Sequence, residues 1–464
     1  MSSNYRVIRL QDLLRSRRGG FVFRLLLFIF GSALQLFFRR IETVNEGIVP
    51  DGTGVIFVLN HPNGLIDPAL VFVALPRRIS FLAKSTLFRM PVIGWLLRVV
   101  DALPVYRRID AGEDISKNTR TFEAAHDLLR RGGSIAIFPE GISHNSTKLL
   151  PAKTGAARIA LGTVSIESSD ALDLFIVPVG LYYTSKTTFR SEALLHFGEP
   201  FRVEPVALEP DGDVPRDAVR SLTDRIEEAL REVTVNAETE AELETADIAH
   251  GILAAEDEEA DLRSRLVFLK SYIDRTAARS PDAELTPLEK KVRHFDSRLS
   301  ELGIEPFHLS LAKYSRSFVV GQALAQTWYL ILLAPIAMIG TILHAPAYQV
   351  SKLLSRIYAR HGADDVASTV KVLAGILFMP LTWLVVAGVV YYLLDWKWAI
   401  AALPLSFIAG YVTLITWERL ESLRGWARAI INFFFYRERF LRLLVERREI
   451  QSALRKIEDP PAGK

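Results

Sequence analysis

The sequence predicts an α/β domain, a mostly parallel sheet covered by helices, joined to a helical insertion and C-terminal transmembrane helices. Two observations predict this. Short apolar runs at 55–59, 134–138 and 174–183 alternate with helical stretches, the rhythm of strands buried on both faces of a parallel sheet. In addition, 50% of the 464 residues are hydrophobic and only 23% charged, and the apolar excess gathers near the C-terminus in runs close to the ~20 residues that cross a bilayer core.

Composition narrows the chemistry. The chain has no cysteine, which excludes disulfides, thiolate nucleophiles, iron–sulfur clusters and thiolate zinc sites. Its 56 basic and 53 acidic residues leave a formal charge of +3, too balanced to imply nucleic acid as a partner. Aromatic residues reach 10%, which argues against low-complexity disorder.

Five segments follow in order. In residues 1–45, the apolar run 21–38 is bracketed by Arg15, Arg17 and Arg18 on one side and Arg39 and Arg40 on the other. Arg24 interrupts it and no small-residue cleavage site follows, so the expectation is an N-terminal interfacial membrane helix rather than a removable signal. A single spanning helix is the alternative.

Residues 46–210 form the expected α/β domain. Its helical stretch 119–131 ends at Gly132-Gly133, a helix stop. Residues 211–312 differ: positions 238–261 hold ten acidic residues and no lysine or arginine. A solvated helical segment with a hairpin around Gly251 is expected there, a partner-docking arm being the sharper alternative.

Residues 313–420 hold apolar runs at 325–345, 372–394 and 398–417. Tyr391-Tyr392 and Asp395-Trp396-Lys397-Trp398 form an interfacial belt at a short turn, so the last two runs are expected to make a membrane hairpin. Lys352, Arg356, Arg360 and Lys371 before it, and Arg419, Arg424 and Arg428 after it, place both its ends in the cytoplasm. The first run carries Gln326 and Pro335 and is spanning or re-entrant; an even number of crossings keeps the α/β domain cytoplasmic. Residues 421–464 mix Phe433, Phe434, Phe435, Leu441 and Leu444 with many arginines, the pattern of a basic amphipathic surface helix.

Candidate chemistry clusters after the apolar strands. His61 follows run 55–59 and Asn60 and precedes Pro62-Asn63-Gly64-Leu65-Ile66-Asp67. Open α/β sheets place functional groups at such strand ends. Positions six apart do not share a helical face, so His61 and Asp67 meet only if the Pro-Asn-Gly turn folds back. The carboxylate then holds the imidazole tautomer and leaves the other nitrogen as general base; capping and turn roles are the common alternative.

Phe138-Pro139-Glu140-Gly141-Ile142-Ser143-His144 follows the second apolar strand, and its strand breakers are expected to expose Glu140 at the sheet edge. Gly141 permits close approach of backbone amides to a substrate oxygen. Adjacent Ser143 and His144 point apart and read as loop structure. Lys84, Arg107, Arg108 and Lys153 follow separate strands or loops and could converge on a phosphate, although surface charge is the usual fate of any one of them.

Taken together, Asn60-His61 with Asp67, Phe138-Pro139-Glu140-Gly141, Leu103-Pro104-Val105-Tyr106-Arg107 and Ile176-Val177-Pro178-Val179-Gly180 resemble the glycerolipid acyltransferase family over about residues 50–200. The commonest family pattern has four residues between the histidine and the aspartate; here there are five. Asp101 and Pro104 stand where the arginine block usually has a glycine and an aromatic residue. Both departures resemble the fungal-type glycerol-3-phosphate and dihydroxyacetone-phosphate acyltransferases, as does the run from Phe138 through Leu149-Leu150-Pro151-Ala152-Lys153-Thr154-Gly155.

The resemblance implies the acyltransferase fold and transfer from acyl-CoA or acyl carrier protein to a phosphorylated glycerol-type acceptor. It implies His61 as base and Asp67 as its orienting partner, with Lys84, Arg107, Glu140, Gly141 and Lys153 around the acceptor. No metal or cofactor is implied, and the lipid bilayer is a partner. A lysophosphatidate or other lysophospholipid acyltransferase is the alternative within the class, and a catalytically inactive membrane scaffold the alternative outside it.

Overall fold

The structure, a computed structural model, describes residues 5–15, 19–75, 77–107, 113–165, 173–256, 261–276, 286–309, 316–359 and 364–458. Arg17, Arg18, Arg108, Arg360 and the acidic Asp257, Glu258 and Glu259 lie outside them. The described chain separates into two compact units, residues 1–236 with 355–372, and residues 237–354 with 373–464.

The first unit is built on a nine-stranded sheet among the described residues. In chain order its strands are β1 (Tyr5–Val7), β2 (Phe38–Val44), β3 (Gly54–Leu59), β4 (Ser80–Lys84), β5 (Leu103–Val105), β6 (Ser134–Ile137), β7 (Leu174–Tyr183), β8 (Ser191–Phe197) and β9 (Phe201–Arg202). The spatial order is β1-β2-β8-β7-β3-β6-β4-β5, with β9 paired to β7. The run β7-β3-β6-β4-β5 is parallel, while β1·β2, β7·β8 and β7·β9 are antiparallel.

The continuous apolar runs are the central strands, as their composition requires. Every residue of β3 and of β6 is buried. On one face Ile56, Val58, Ile135, Ile137 and Ile176 pack with Ala125, Leu129, Ala157 and Ala160 from helices Asn118–Arg130 and Gly155–Ser165. The first of these helices stops where the sequence places the stop. Gly132, in the left-handed region at φ 74°, returns its N–H to Leu129, and Gly133 bonds Leu128.

Two expected boundaries move. Helix Arg216–Val233 lies beyond 210, yet its Val219, Ile226, Leu230 and Val233 enter the same core, so it belongs to the sheet domain. At the other end, the apolar run breaks at Phe37: Phe38 begins β2, where Arg39 pairs with Glu192 at 2.8 Å and Arg40 with Glu42 at 2.6 Å. These arginines therefore serve sheet ion pairs. Helix Phe21–Phe37 buries Phe23, Leu26, Leu27, Leu34 and Phe37, with Phe23 edge-on to Phe72, and leaves Phe21, Val22, Leu25 and Phe28 exposed. One apolar face is thus packed and one open.

The second unit is helical. Helices Glu240–Leu253, Leu262–Thr276, Pro287–Leu302 and Arg437–Glu458 pack around Ala246, Ile252, Leu269, Tyr272, Phe295, Phe440, Leu443 and Leu454. Gly251 lies inside the first of them, so the turn comes after Leu253 and not at the glycine. The tail is likewise not a free surface helix: Arg447 and Gln451 are buried and donate to carbonyls of Pro306 and Ile252 (3.0 and 2.8 Å).

Among the described residues three helices are long and apolar enough to cross a membrane, with stretches Ala325–Ile357, Thr369–Leu393 and Trp396–Phe435. The first run is one unbroken helix, Arg316–Ala359, that continues through Pro335 and Pro346, so no re-entrant break appears. Asp395 caps the third helix, accepting from the N–H groups of Lys397 and Trp398 at the turn between runs two and three.

Candidate active site

The parallel strands β3, β4 and β6 end on one side of the sheet, and the candidate residues lie just beyond those ends. After Leu59 the chain leaves β3 at Asn60, whose side chain bonds both backbone groups of Leu181 on β7 (3.0 and 2.7 Å). The turn 62–65 then folds back, and helix Ile66–Ala74 starts with Asp67 in its first turn. His61 Nδ1 and Asp67 Oδ2 come within 2.8 Å. Five intervening residues close this pair because Gly64 adopts φ 49°, a left-handed turn open to glycine.

Asp67 is fully buried and heavily bonded. Its Oδ2 also accepts the Asn63 N–H at 2.7 Å, and its Oδ1 accepts the Tyr183 hydroxyl at 2.6 Å. Burial first, then the charge and hydrogen bond of Asp67, push the Tyr183 phenol well above its ordinary range, so it stays a proton donor to the carboxylate. With Nδ1–H donating to the Asp67 carboxylate, the His61 lone pair lies on Nε2. Nothing among the described residues bonds that nitrogen, and the side chain is 18% exposed. Phe138 stacks on the ring at 4.2 Å between centroids, fixing its plane.

Glu140 is not at an exposed edge. It is 3% exposed, because β6 lies in the middle of the sheet between β3 and β4. Its carboxylate accepts the backbone N–H of His61 (2.8 Å) and of Leu150 (2.8 Å) and hydrogen-bonds His144 Nε2. Glu140 therefore acts on the site by tying the His61 loop to the 141–150 loop, with His144 as its partner. The backbone N–H of His144 closes the tie by donating to His61 O at 3.2 Å.

Three of the polar candidates converge one residue further on. Gly141 has φ 73°, and the Arg107 guanidinium donates to its carbonyl at 2.7 Å. A Cβ on Gly141 would meet Lys153 Nζ at 2.6 Å, so the lysine side chain lies directly over the glycine. Two cations thus flank Gly141, next in sequence to the Glu140 that holds His61. Lys84 ends β4 in register with Val105, two residues before Arg107. Arg108 lies outside the described residues.

Sequence reasoning missed Tyr183. Parallel pairing of β3 with β7 sets Leu59 opposite Val179, so a strand that continues four residues past that point carries Tyr183 over the start of the Asp67 helix. That signal was in reach.

With this geometry in place, two family models match the chain: the acyltransferase domain over residues 40–182 and the glycerol-3-phosphate acyltransferase 2 C-terminal domain over residues 265–457. The chain thus carries an acyltransferase domain followed by a glycerol-3-phosphate acyltransferase 2 C-terminal domain.

Glycerol-3-phosphate O-acyltransferase 2 of Saccharomyces cerevisiae is 27% identical over 278 residues, 57% of this chain and 37% of its own length. Glycerol-3-phosphate O-acyltransferase 1 of the same yeast is 29% identical over 291 residues, 60% of this chain and 38% of its own length. The match thus spans less than two fifths of either relative. A solved structure, the 1-acyl-sn-glycerophosphate acyltransferase PlsC of Thermotoga maritima, aligns at 20% identity over 46% of this chain and 78% of that one, with a TM-score of 0.33, too slight a likeness to argue from.

Proposed function

We propose that the protein is a membrane-bound O-acyltransferase that moves a fatty acyl chain from an acyl thioester, acyl-CoA or acyl carrier protein, to glycerol 3-phosphate or dihydroxyacetone phosphate in phospholipid synthesis. The observation that carries the reading is the 2.8 Å bond between His61 Nδ1 and buried Asp67, on a loop that Glu140 ties to Gly141, where Arg107 and Lys153 meet. The names of the yeast relatives support the acceptor.

In the proposed mechanism His61 Nε2 takes the proton of the acceptor hydroxyl as its oxygen attacks the thioester carbonyl. A carbon–oxygen bond forms, the carbon–sulfur bond breaks, and the imidazolium returns the proton to the departing thiolate. Asp67 holds the ring's tautomer and balances the transient imidazolium. Arg107, Lys153 and Lys84 receive the acceptor's phosphate, while Glu140 and Gly141 shape the loop that presents them. The reaction as proposed needs no metal or other cofactor beyond the acyl donor. The basic residues before the last two apolar runs, Lys352, Arg356 and Lys371, with Lys371 bonded to Thr187 of the catalytic unit, support a cytoplasmic position for that unit when the hairpin alone crosses.

The test is an acceptor panel. Purified full-length protein in liposomes receives labelled acyl-CoA with glycerol 3-phosphate, dihydroxyacetone phosphate or lysophosphatidate. Labelled monoacyl product from one of the first two is expected. A preference for lysophosphatidate overturns the assigned acceptor, and no transfer to any of them favours the scaffold.

A further inference from the structure

The loop that carries His61 and Asp67 is bonded to a residue 304 positions away. Leu65 is the residue before helix Ile66–Ala74, and its backbone N–H donates to Thr369 Oγ1 at 3.1 Å. The first N–H groups of a helix have no intrahelical acceptor, and the Thr369 hydroxyl serves this one. Thr369 is itself 5% exposed. Two residues on, Lys371 Nζ donates to Thr187 O at 2.7 Å, and the neighbouring Lys186 carbonyl accepts from Asn63 Nδ2 at 3.3 Å.

The loops so joined are the two that grip Asp67. Asn63 bonds the carboxylate from one side through its backbone N–H. Tyr183, at the end of β7 just before the 184–188 loop, bonds it from the other. Residues 355–372 accordingly form part of the same compact unit as the catalytic sheet. Thr369 also opens the apolar stretch Thr369–Leu393, long enough to cross a bilayer.

We propose that Thr369 is a positioning residue for acyl transfer: the start of helix Asp364–Leu393 is a strap over the catalytic loops, and the Thr369 hydroxyl fixes the helix start from which Asp67 orients His61. This inference rests on the general-base reading of His61. Valine keeps the shape of Thr369 and removes its acceptor. Leu65 N–H then loses its partner, the first turn of the Asp67 helix shifts, and the imidazole is aimed less well at the acceptor hydroxyl. Misaiming of this kind slows the chemical step without weakening either substrate's binding. A residue that only filled space would not show that signature.

The experiment uses the full chain in liposomes, with labelled acyl-CoA and glycerol 3-phosphate. Thr369→Val, Thr369→Ser and His61→Ala are compared with the parent. Thr369→Val is expected to lower kcat about tenfold while both KM values stay within about twofold. Thr369→Ser, which restores the acceptor, is expected to return kcat to within about threefold of the parent. The proposal is overturned if Thr369→Val keeps the parent kcat while His61→Ala is inactive, if serine gives no rescue, or if the loss falls on KM. Full activity of His61→Ala is a different failure: it removes the general-base reading and the positioning role with it.

Discussion

Two histidines, one in each compact unit, show how similar side chains come to different uses. His61 gives one ring nitrogen to Asp67 and keeps the other open. His344 has neither free: Nδ1 donates to the Gly340 carbonyl at 2.8 Å, and Nε2 accepts the Trp383 indole N–H at 2.8 Å. Its ring lies so close to Gly410 that a Cβ there would come within 2.8 Å. A histidine with both nitrogens satisfied in its neutral form links helices and has no site from which to exchange a proton. The partner matters as well: a buried carboxylate stabilises the imidazolium that transfer generates, whereas a carbonyl and an indole stabilise only the neutral ring.

The largest effect that sharpens this contrast falls on the carboxylate. Asp67→Asn keeps the volume but offers its amide or carbonyl in place of two anionic oxygens, and kcat/KM for the acceptor is expected to drop by about 10³-fold. Steady-state kinetics of the reconstituted variant check it. A drop under tenfold removes the orienting role of Asp67.

A second effect belongs to the helical unit. Burial, followed by the Arg265 charge against a smaller opposing pull from Asp247, lowers His250 to about 4, and burial likewise lowers His308 to about 4. Both are therefore neutral when folded, whereas the unfolded chain binds protons from about pH 6.5 downward. Their contribution is complete above pH 6.5, declines as the pH falls toward 4, and is exhausted below that, about 3 kcal/mol for each. Thermal unfolding followed from pH 7 to 4 should show the midpoint falling through this window. His250→Gln should flatten the slope, and an unchanged slope contradicts the assignment.

Arg107→Ala comes next. Removing the guanidinium that meets Gly141 O is expected to raise the KM of the phosphorylated acceptor about 10–50-fold, with the donor KM unchanged. Equal changes in both refute the phosphate role. The smallest effect is at the second histidine: Trp383→Phe removes the indole donor and should cost about 0.6 kcal/mol of stability, leaving kcat and both KM values at parental levels.

Much of the first unit was legible in the sequence because its central strands are buried on both faces and must be continuous apolar runs; β3 and β7 were readable for that reason. The His61–Asp67 pair was readable because a strand end, a Pro-Asn-Gly turn and a nearby acid limit the geometry to one fold-back. Glu140 was misplaced: Pro139 and Gly141 do break the strand, but strand order, which local pattern does not encode, put β6 at the centre. The hydrogen bonds of His144 and Leu150 then consume the carboxylate. Phe38 was assigned to a helix because an apolar residue at the end of an apolar run carries no mark of a strand. The Leu65–Thr369 bond had no local signal, since neither residue type nor spacing reports a contact over 304 positions. Helix Arg216–Val233 was separated in sequence from the sheet because its charged residues outnumber the five it buries, Val219, Thr223, Ile226, Leu230 and Val233.

The central claim is that His61 Nε2 is the proton acceptor of acyl transfer. The most direct measurement is the initial rate of labelled monoacylglycerol phosphate formation by His61→Ala protein in liposomes, at saturating acyl-CoA and glycerol 3-phosphate, with its folding matched to the parent by thermal midpoint. The account predicts a rate lower by about 10³-fold or more. A rate within tenfold of the parent would contradict it.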